Sequence, residues 1–421
     1  MRDSRPVKTD SLRWFAGALL LLGCDDSPTT TTDAGADAGA ANDLGADVAA
    51  APDAGALDVV EAVDVPDVPP IDLGPGAVDP LSFPVDQPGP FRVGFHKIMR
   101  TYTPPGGTVT RTIPISFWYP TLYAQGAHPT YSLVFTDQNS WVDAPPAAPV
   151  YPRGYPVIVN SHGYQGFAGN SHFLWRYFAS HGWIVVAPDH VGNTLTDTPP
   201  RPLPIQQWYY RSTDVSQSLD VVGALPAGDL LAGLADAHAA ILSGHSFGTH
   251  TTWASAGAAF DLDLIRPNCT AANHCTDADL AVFARGVGDP RFVATMPMAG
   301  GIDRSFFGPD GHRGVHVPVF AMSGTDDQSA EDAAQFAATA GVDLTWIDVT
   351  GACHQFFGLG HCTMIDDSLQ GPIVGTYALA WARRHLLNDP SPVVAGILAG
   401  TRAVNAAVAY HHHGADADAG P

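Results

Sequence analysis

From about residue 82 the chain alternates short apolar runs with longer amphipathic stretches. The runs fall at 156–160, 183–187, 239–243, 293–297, 318–323 and 344–349. Pro156-Val157-Ile158-Val159-Asn160 and Trp183-Ile184-Val185-Val186-Ala187 are typical. Such runs are continuous rather than alternating, which predicts strands buried on both faces. Helical patterns separate them near 169–181, 212–224, 247–258, 329–340 and 372–387, with Gly341 placed to cap the fourth. Residues 92–102 and 109–119 predict a hairpin around Pro104-Pro105-Gly106-Gly107. The reading is a doubly wound α/β domain over 82–410, with a mostly parallel sheet and an antiparallel hairpin at its start.

One turn carries chemistry. Gly244-His245-Ser246-Phe247-Gly248 follows the run 239–243 and opens the helical pattern from 247. This is G-x-S-x-G in its required strand–turn–helix context. The glycines permit a sharp turn that lifts Ser246 Oγ clear of the sheet, at the positive end of a helix. A serine hydroxyl needs a base, and this arrangement places an acid and then a histidine downstream. Gly324-Thr325-Asp326-Asp327 ends one strand and Gly351-Ala352-Cys353-His354 ends the next. His354 is the expected base and Asp327 the expected acid. Asp326, its neighbour, and Asp303, one strand earlier, are the alternatives. An oxyanion hole needs two fixed N–H groups. The expected donors are Phe247 and, from Ser161-His162-Gly163-Tyr164-Gln165-Gly166, Tyr164.

Taken in order, several motifs resemble a known family. They are Ser161-His162-Gly163, Ser180-His181-Gly182-Trp183 through Ala187-Pro188-Asp189-His190, the Gly244–Gly248 elbow, Asp289-Pro290-Arg291, Gly324–Asp327 and Gly351–His354. This set, over about 90–390, resembles the platelet-activating-factor acetylhydrolases and bacterial predicted dienelactone hydrolases, with cutinase-like polyesterases as relatives. The resemblance implies the α/β-hydrolase fold, a Ser-His-Asp triad and carboxylic ester hydrolysis without a cofactor. Dienelactone hydrolases carry a cysteine nucleophile, whereas position 246 is serine. The aromatic stretches 121–150 (Tyr123, Tyr131, Phe135, Trp141) and 195–211 (Trp208, Tyr209, Tyr210) are candidates for lining the substrate cleft or for packing among themselves. Phe356 and Phe357 would border the site.

Composition narrows the setting. The formal net charge is −22, and residues 25–80 hold 13 acidic and no basic residues, so over half of it lies there. A chain this acidic does not suit a nucleic-acid partner. Residues 1–23 read as a signal peptide: a basic start, a short apolar stretch over 14–22, then Gly23-Cys24. Leu21-Leu22-Gly23-Cys24 resembles a lipobox, which would leave Cys24 lipidated and the protein anchored to a membrane. The stretch 24–81 is rich in Ala, Asp, Gly and Pro and reads as a disordered tether. The end, 411–421, reads as a disordered tail, with His411, His412 and His413 solvated. Cys269, Cys275, Cys353 and Cys362 remain, and proximity favours Cys269–Cys275 and Cys353–Cys362 disulfides. No histidine spacing of the H-E-x-x-H kind marks a metal site. The expectation is an exported, lipid-anchored serine esterase. An amidase or peptidase with the same triad, or a non-catalytic binding protein of this fold, is the alternative.

Overall fold

The computed structural model describes residues 79–415, apart from 108–109, 134, 199–202 and 328–332. The expected signal peptide, Cys24 and most of the tether lie outside the described residues. Twelve strands occur among them. The first five are β1 (Arg92–Tyr102), β2 (Arg111–Thr121), β3 (Thr130–Tyr131), β4 (Phe135–Thr136) and β5 (Ser140–Val142). Then come β6 (Tyr155–Ser161), β7 (Ile184–Pro188), β8 (Ala235–His245) and β9 (Phe292–Met298). The last are β10 (Val319–Gly324), β11 (Leu344–Val349) and β12 (Val408–His413). The helices are α1 (His172–Ser180), α2 (Gln207–Gly223), α3 (Phe247–Ser255), α4 (Leu262–Ile265) and α5 (Asp277–Arg285). They continue with α6 (Arg304–Phe307), α7 (Ala333–Ala338), α8 (Thr376–Leu387) and α9 (Pro392–Leu398).

Ten strands form one sheet in the order β12-β11-β10-β9-β8-β6-β7-β2-β1-β5, and β3 pairs with β4 apart from it. The pairs from β7 through β6, β8, β9 and β10 to β11 are parallel. The expected hairpin is present, with β1 antiparallel to β2 and β2 antiparallel to β7. Alternate residues of each central strand serve opposite faces. Ile158, Ile241, Met296 and Phe320 pack with Trp175 and Phe178 of α1 and Trp381 of α8. Val157, Val159 and Leu242 pack with Val215 and Leu219 of α2. Apolar layers on both faces explain why the strand sequences are continuous runs.

One expectation changes. His411, His412 and His413, read as tail, lie in β12, antiparallel to β11. His411 stacks on Trp346 with centroids 4.4 Å apart, so an aromatic platform orders them despite their polarity. The start of the domain lies where the sequence puts it, near residue 82. Residues 81–91 already pack on the helices: Arg383 of α8, 1% exposed, donates to the carbonyls of Phe83 (2.7 Å) and Leu81 and pairs with Asp389. His181 and Ser180, at the end of α1, bond to the backbone of Gln87 and Gly89.

Candidate active site

Strand β8 ends at His245 and α3 begins at Phe247, so Ser246 alone makes the turn. It adopts φ 56° and ψ −117°, a region that side chains avoid, and its N–H donates to Met298 O (2.9 Å) at the end of β9. The flanking glycines are sterically required. A Cβ on Gly244 would lie 2.1 Å from the carbonyl oxygen of Gly248, and one on Gly248 would lie 2.0 Å from that of Ser161. Ser246 is half-buried while His245, Phe247 and Gly248 are buried.

The parallel neighbours β10 and β11 deliver the acid and the histidine at the same end of the sheet. Their turns are stitched together: Thr325 N–H donates to Val349 O (3.1 Å), Asp326 N–H to Ala352 O (3.0 Å) and Gly351 N–H to Thr325 Oγ1 (2.9 Å). His354 Nδ1 then lies 2.8 Å from Asp327 Oδ2. The Asp327 side chain is 4% exposed and the imidazole 30%. Asp326 is exposed. Asp303 lies elsewhere: it caps α6 through Ser305 N–H (3.1 Å) and faces His250 Nδ1 at 3.3 Å. Burial opposes ionisation of Asp303, but the hydrogen bonds with His250 and Ser305 hold its carboxyl below the usual range. Of the three candidate acids, Asp327 is the one whose carboxylate meets His354.

Gly163 approaches Ser246 closely, since a Cβ there would stand 3.1 Å from Ser246 Cβ. Tyr164 follows in a turn closed by Gly166 N–H to Gly163 O (3.1 Å). Phe247 contributes the first N–H of α3, a group that a helix leaves without an internal acceptor. The two expected oxyanion donors thus come from segments on either side of Ser246.

Two residues escaped the sequence reading. His245 is buried, with its ring 4.8 Å from that of His354. Asn170 donates to its Nδ1 (3.3 Å), so Nε2–H donates to the carbonyl of His354 (3.1 Å). Burial, helped by the nearby His354, pushes its pKa down to about 3, so the ring is neutral. The signal was only the variable position inside the elbow. The histidine turn is further held by the Cys353–Cys362 disulfide, and Cys269–Cys275 is also formed.

The aromatic expectations divide. Trp208, half-buried, meets the Phe247 ring edge-on at 5.3 Å and stacks on Phe306 at 4.9 Å, so it stands beside the elbow. Tyr209 is buried and bonded to Asp279 (2.6 Å), and Tyr131 is buried against Trp118 and Asp137. Phe356 and Phe357, expected at the border, are fully buried in the core.

A buried Ser-His-Asp chain joins the end of β6, the loop after β7 and α2. Asp214 Oδ2 is 2.8 Å from His190 Nδ1, and His190 Nε2 is 2.9 Å from Ser161 Oγ. All three residues are fully buried. Desolvation, together with the Arg211 and Arg111 charges, holds His190 well below its ordinary pKa. His162 Nε2 accepts the His190 N–H (2.9 Å), which leaves Nδ1–H to donate to Gly163 O (2.8 Å).

No protein-family model and no curated protein matches the sequence. Among solved structures, a ferulic acid esterase from Streptomyces cinnamoneus aligns at 18% identity with a TM-score of 0.52, over 74% of this chain and 95% of that one. The fold is of the α/β-hydrolase type. In this α/β-hydrolase fold the elbow, the acid turn and the histidine turn all gather at the carboxyl ends of parallel strands, where such sheets place their sites.

Proposed function

We propose that this chain is a serine carboxylic ester hydrolase. Ser246 is the nucleophile, His354 the general base and acid, and Asp327 the carboxylate that fixes the imidazole. The observation carrying this reading is the 2.8 Å contact of His354 Nδ1 with Asp327, on the turn beside the strained elbow. With Nδ1–H committed to Asp327, Nε2 is the nitrogen that serves Ser246. As Ser246 Oγ attacks the ester carbonyl, its proton passes to Nε2. The N–H groups of Tyr164 and Phe247 receive the oxyanion. Collapse expels the alcohol, which takes the proton from the imidazolium. Water then repeats the sequence on the acyl-enzyme and releases the acid.

The substrate class is a short-acyl, phospholipid-like or polyester-type ester, as the acetylhydrolase-like motif set suggests. An aromatic acyl group also fits, because the stacked Trp208–Phe306 pair beside Phe247 offers a flat apolar surface, and the aligned structure is a ferulic acid esterase. The two disulfides suit an oxidising compartment outside the cytoplasm. Cys24 would carry the lipid anchor.

The test is hydrolysis of p-nitrophenyl esters of rising acyl length and of methyl ferulate, with Ser246→Ala alongside. The expected result is a loss of about 10⁴-fold or more in kcat for the variant. Equal activity in both proteins, or none in either on every ester, overturns the reading.

A further inference from the structure

Arg211 of α2 is fully buried, yet its hydrogen bonds go to neutral groups. Nη1 donates to Asn193 Oδ1 (3.0 Å), Nε to Thr251 Oγ1 (3.4 Å) and Nη2 to Ser161 Oγ (3.4 Å). Its guanidinium carbon lies 4.5 Å from the centre of the Phe247 ring. The nearest acid in sequence, Asp214, is engaged by Arg111 (3.0 Å), His190 (2.8 Å) and the Tyr102 hydroxyl. The cluster therefore sets two guanidinium groups against a single carboxylate, with His162 and His190 held neutral by burial. Among the described residues the cluster thus holds more guanidinium than carboxylate charge, in a buried setting where its field is weakly screened.

The position of that charge is specific. Ser161 closes β6 and leads into Gly163 and Tyr164, one limb of the oxyanion hole. Phe247 is the other limb. One side chain thus touches both segments whose N–H groups would receive the developing negative charge. A structural ion pair would have served packing as well, and an unpaired buried cation is costly.

We propose that Arg211 is the positioning residue of the oxyanion hole: it ties the two donor limbs together and sets a fixed positive charge beneath the substrate's carbonyl oxygen. The proposal rests on the Ser246 reading above. It requires Arg211 to act in the transition state, where the oxyanion exists, more than in substrate binding.

Asn193→Asp is the decisive variant. Among the described residues Asn193 Nδ2 has no hydrogen-bond partner, so exchanging that NH2 for a carboxylate oxygen breaks none of the bonds described. It does place a counter-charge on the guanidinium. A purely structural Arg211 gains a partner, and the protein keeps or raises its Tm with kcat unchanged. On the proposal, Tm is kept or raised while kcat on p-nitrophenyl butyrate falls about 10-fold, KM staying within about 3-fold. Affinity for phenylboronic acid, which forms a tetrahedral adduct on the serine, falls in parallel. Arg211→Met is expected to lose about 100-fold in kcat, and Arg211→Lys to recover part of it. Should Arg211→Met fail to fold, Asn193→Asp carries the test alone. If Ser246→Ala is inactive but Asn193→Asp retains full kcat and boronate affinity, this inference fails and the esterase reading stands. If the unmodified protein cleaves no ester, both fail.

Discussion

The molecule contains two sets of serine, histidine and aspartate that share one feature, a histidine Nδ1 held 2.8 Å from a buried aspartate. In one, Asp327 meets His354 at 2.8 Å beside Ser246. In the other, Asp214 meets His190 at 2.8 Å, and His190 lies 2.9 Å from Ser161. The first has an imidazole 30% exposed and a serine on a strained turn, whereas the second is sealed, with its serine on an ordinary strand. On the proposed function, a histidine–aspartate contact beside a serine therefore does not by itself make a catalyst. What separates the two is access for a substrate, a backbone that thrusts the hydroxyl outward, and N–H groups nearby for an oxyanion. The buried chain uses the same hydrogen-bonding grammar to hold a loop in place.

The comparison breaks most sharply at the serines. Ser246→Ala is expected to lower kcat by about 10⁴-fold or more with Tm nearly unchanged, whereas Ser161→Ala should keep kcat within about 10-fold and lower Tm by several degrees. Finding the larger rate loss at Ser161 would reverse the assignment. The acids come next. Asp327→Asn should cost about 10³–10⁴-fold in kcat while leaving the fold intact. Asp214→Asn leaves Arg111 buried without its carboxylate, and denaturant titration should record a loss of about 3 kcal/mol.

Acid pH gives a smaller separation. His162 and His190 are held neutral by burial, as is His245, pushed down to about 3 from 6.5. In the unfolded chain these rings take up protons as pH falls through 6.5, while in the folded chain His245 does so only near 3. The unfolded state binds more protons between those values, so stability is complete above pH 6.5 and declines below it. The urea midpoint should fall steadily from pH 6.5 towards 4, and a flat midpoint over that range contradicts neutral buried histidines. The smallest effect is expected at the histidine turn. Replacing Cys353 and Cys362 together by serine should lower stability by about 2–3 kcal/mol and kcat by less than about 5-fold, because the stitched backbone bonds to the acid turn remain.

Much of this was legible in the sequence, for local reasons. The elbow is written in five consecutive residues, and the run 344–349 coincides with β11 because a doubly covered strand leaves an unbroken apolar signature. Asp327 and His354 could be placed by chain order, since each follows a strand directly. Other features depend on distant partners. Helix α2 begins at Gln207, earlier than the expected 212, because Gln206 makes no side-chain cap and Trp208, Tyr209 and Tyr210 imitate an aromatic loop. Strand β12 is hidden by three histidines whose ordering comes from Trp346 and Phe336. Arg211, at the end of the aromatic stretch 195–211, carries no local signal, for its partners Asn193, Thr251 and Ser161 meet only when β6, α3 and the loop after β7 assemble.

The Arg383 clamp has a mechanical meaning. Two of its guanidinium nitrogens grip the carbonyls of Leu81 and Phe83, while a third is braced by Asp389. Tension applied through the residues before Asp79 enters the domain at this grip and is passed to α8, whose side chains bear on the sheet's core. The elbow and the turns bearing Asp327 and His354 lie on other elements, so a pull at Asp79 would load a helix that carries none of the residues proposed to react.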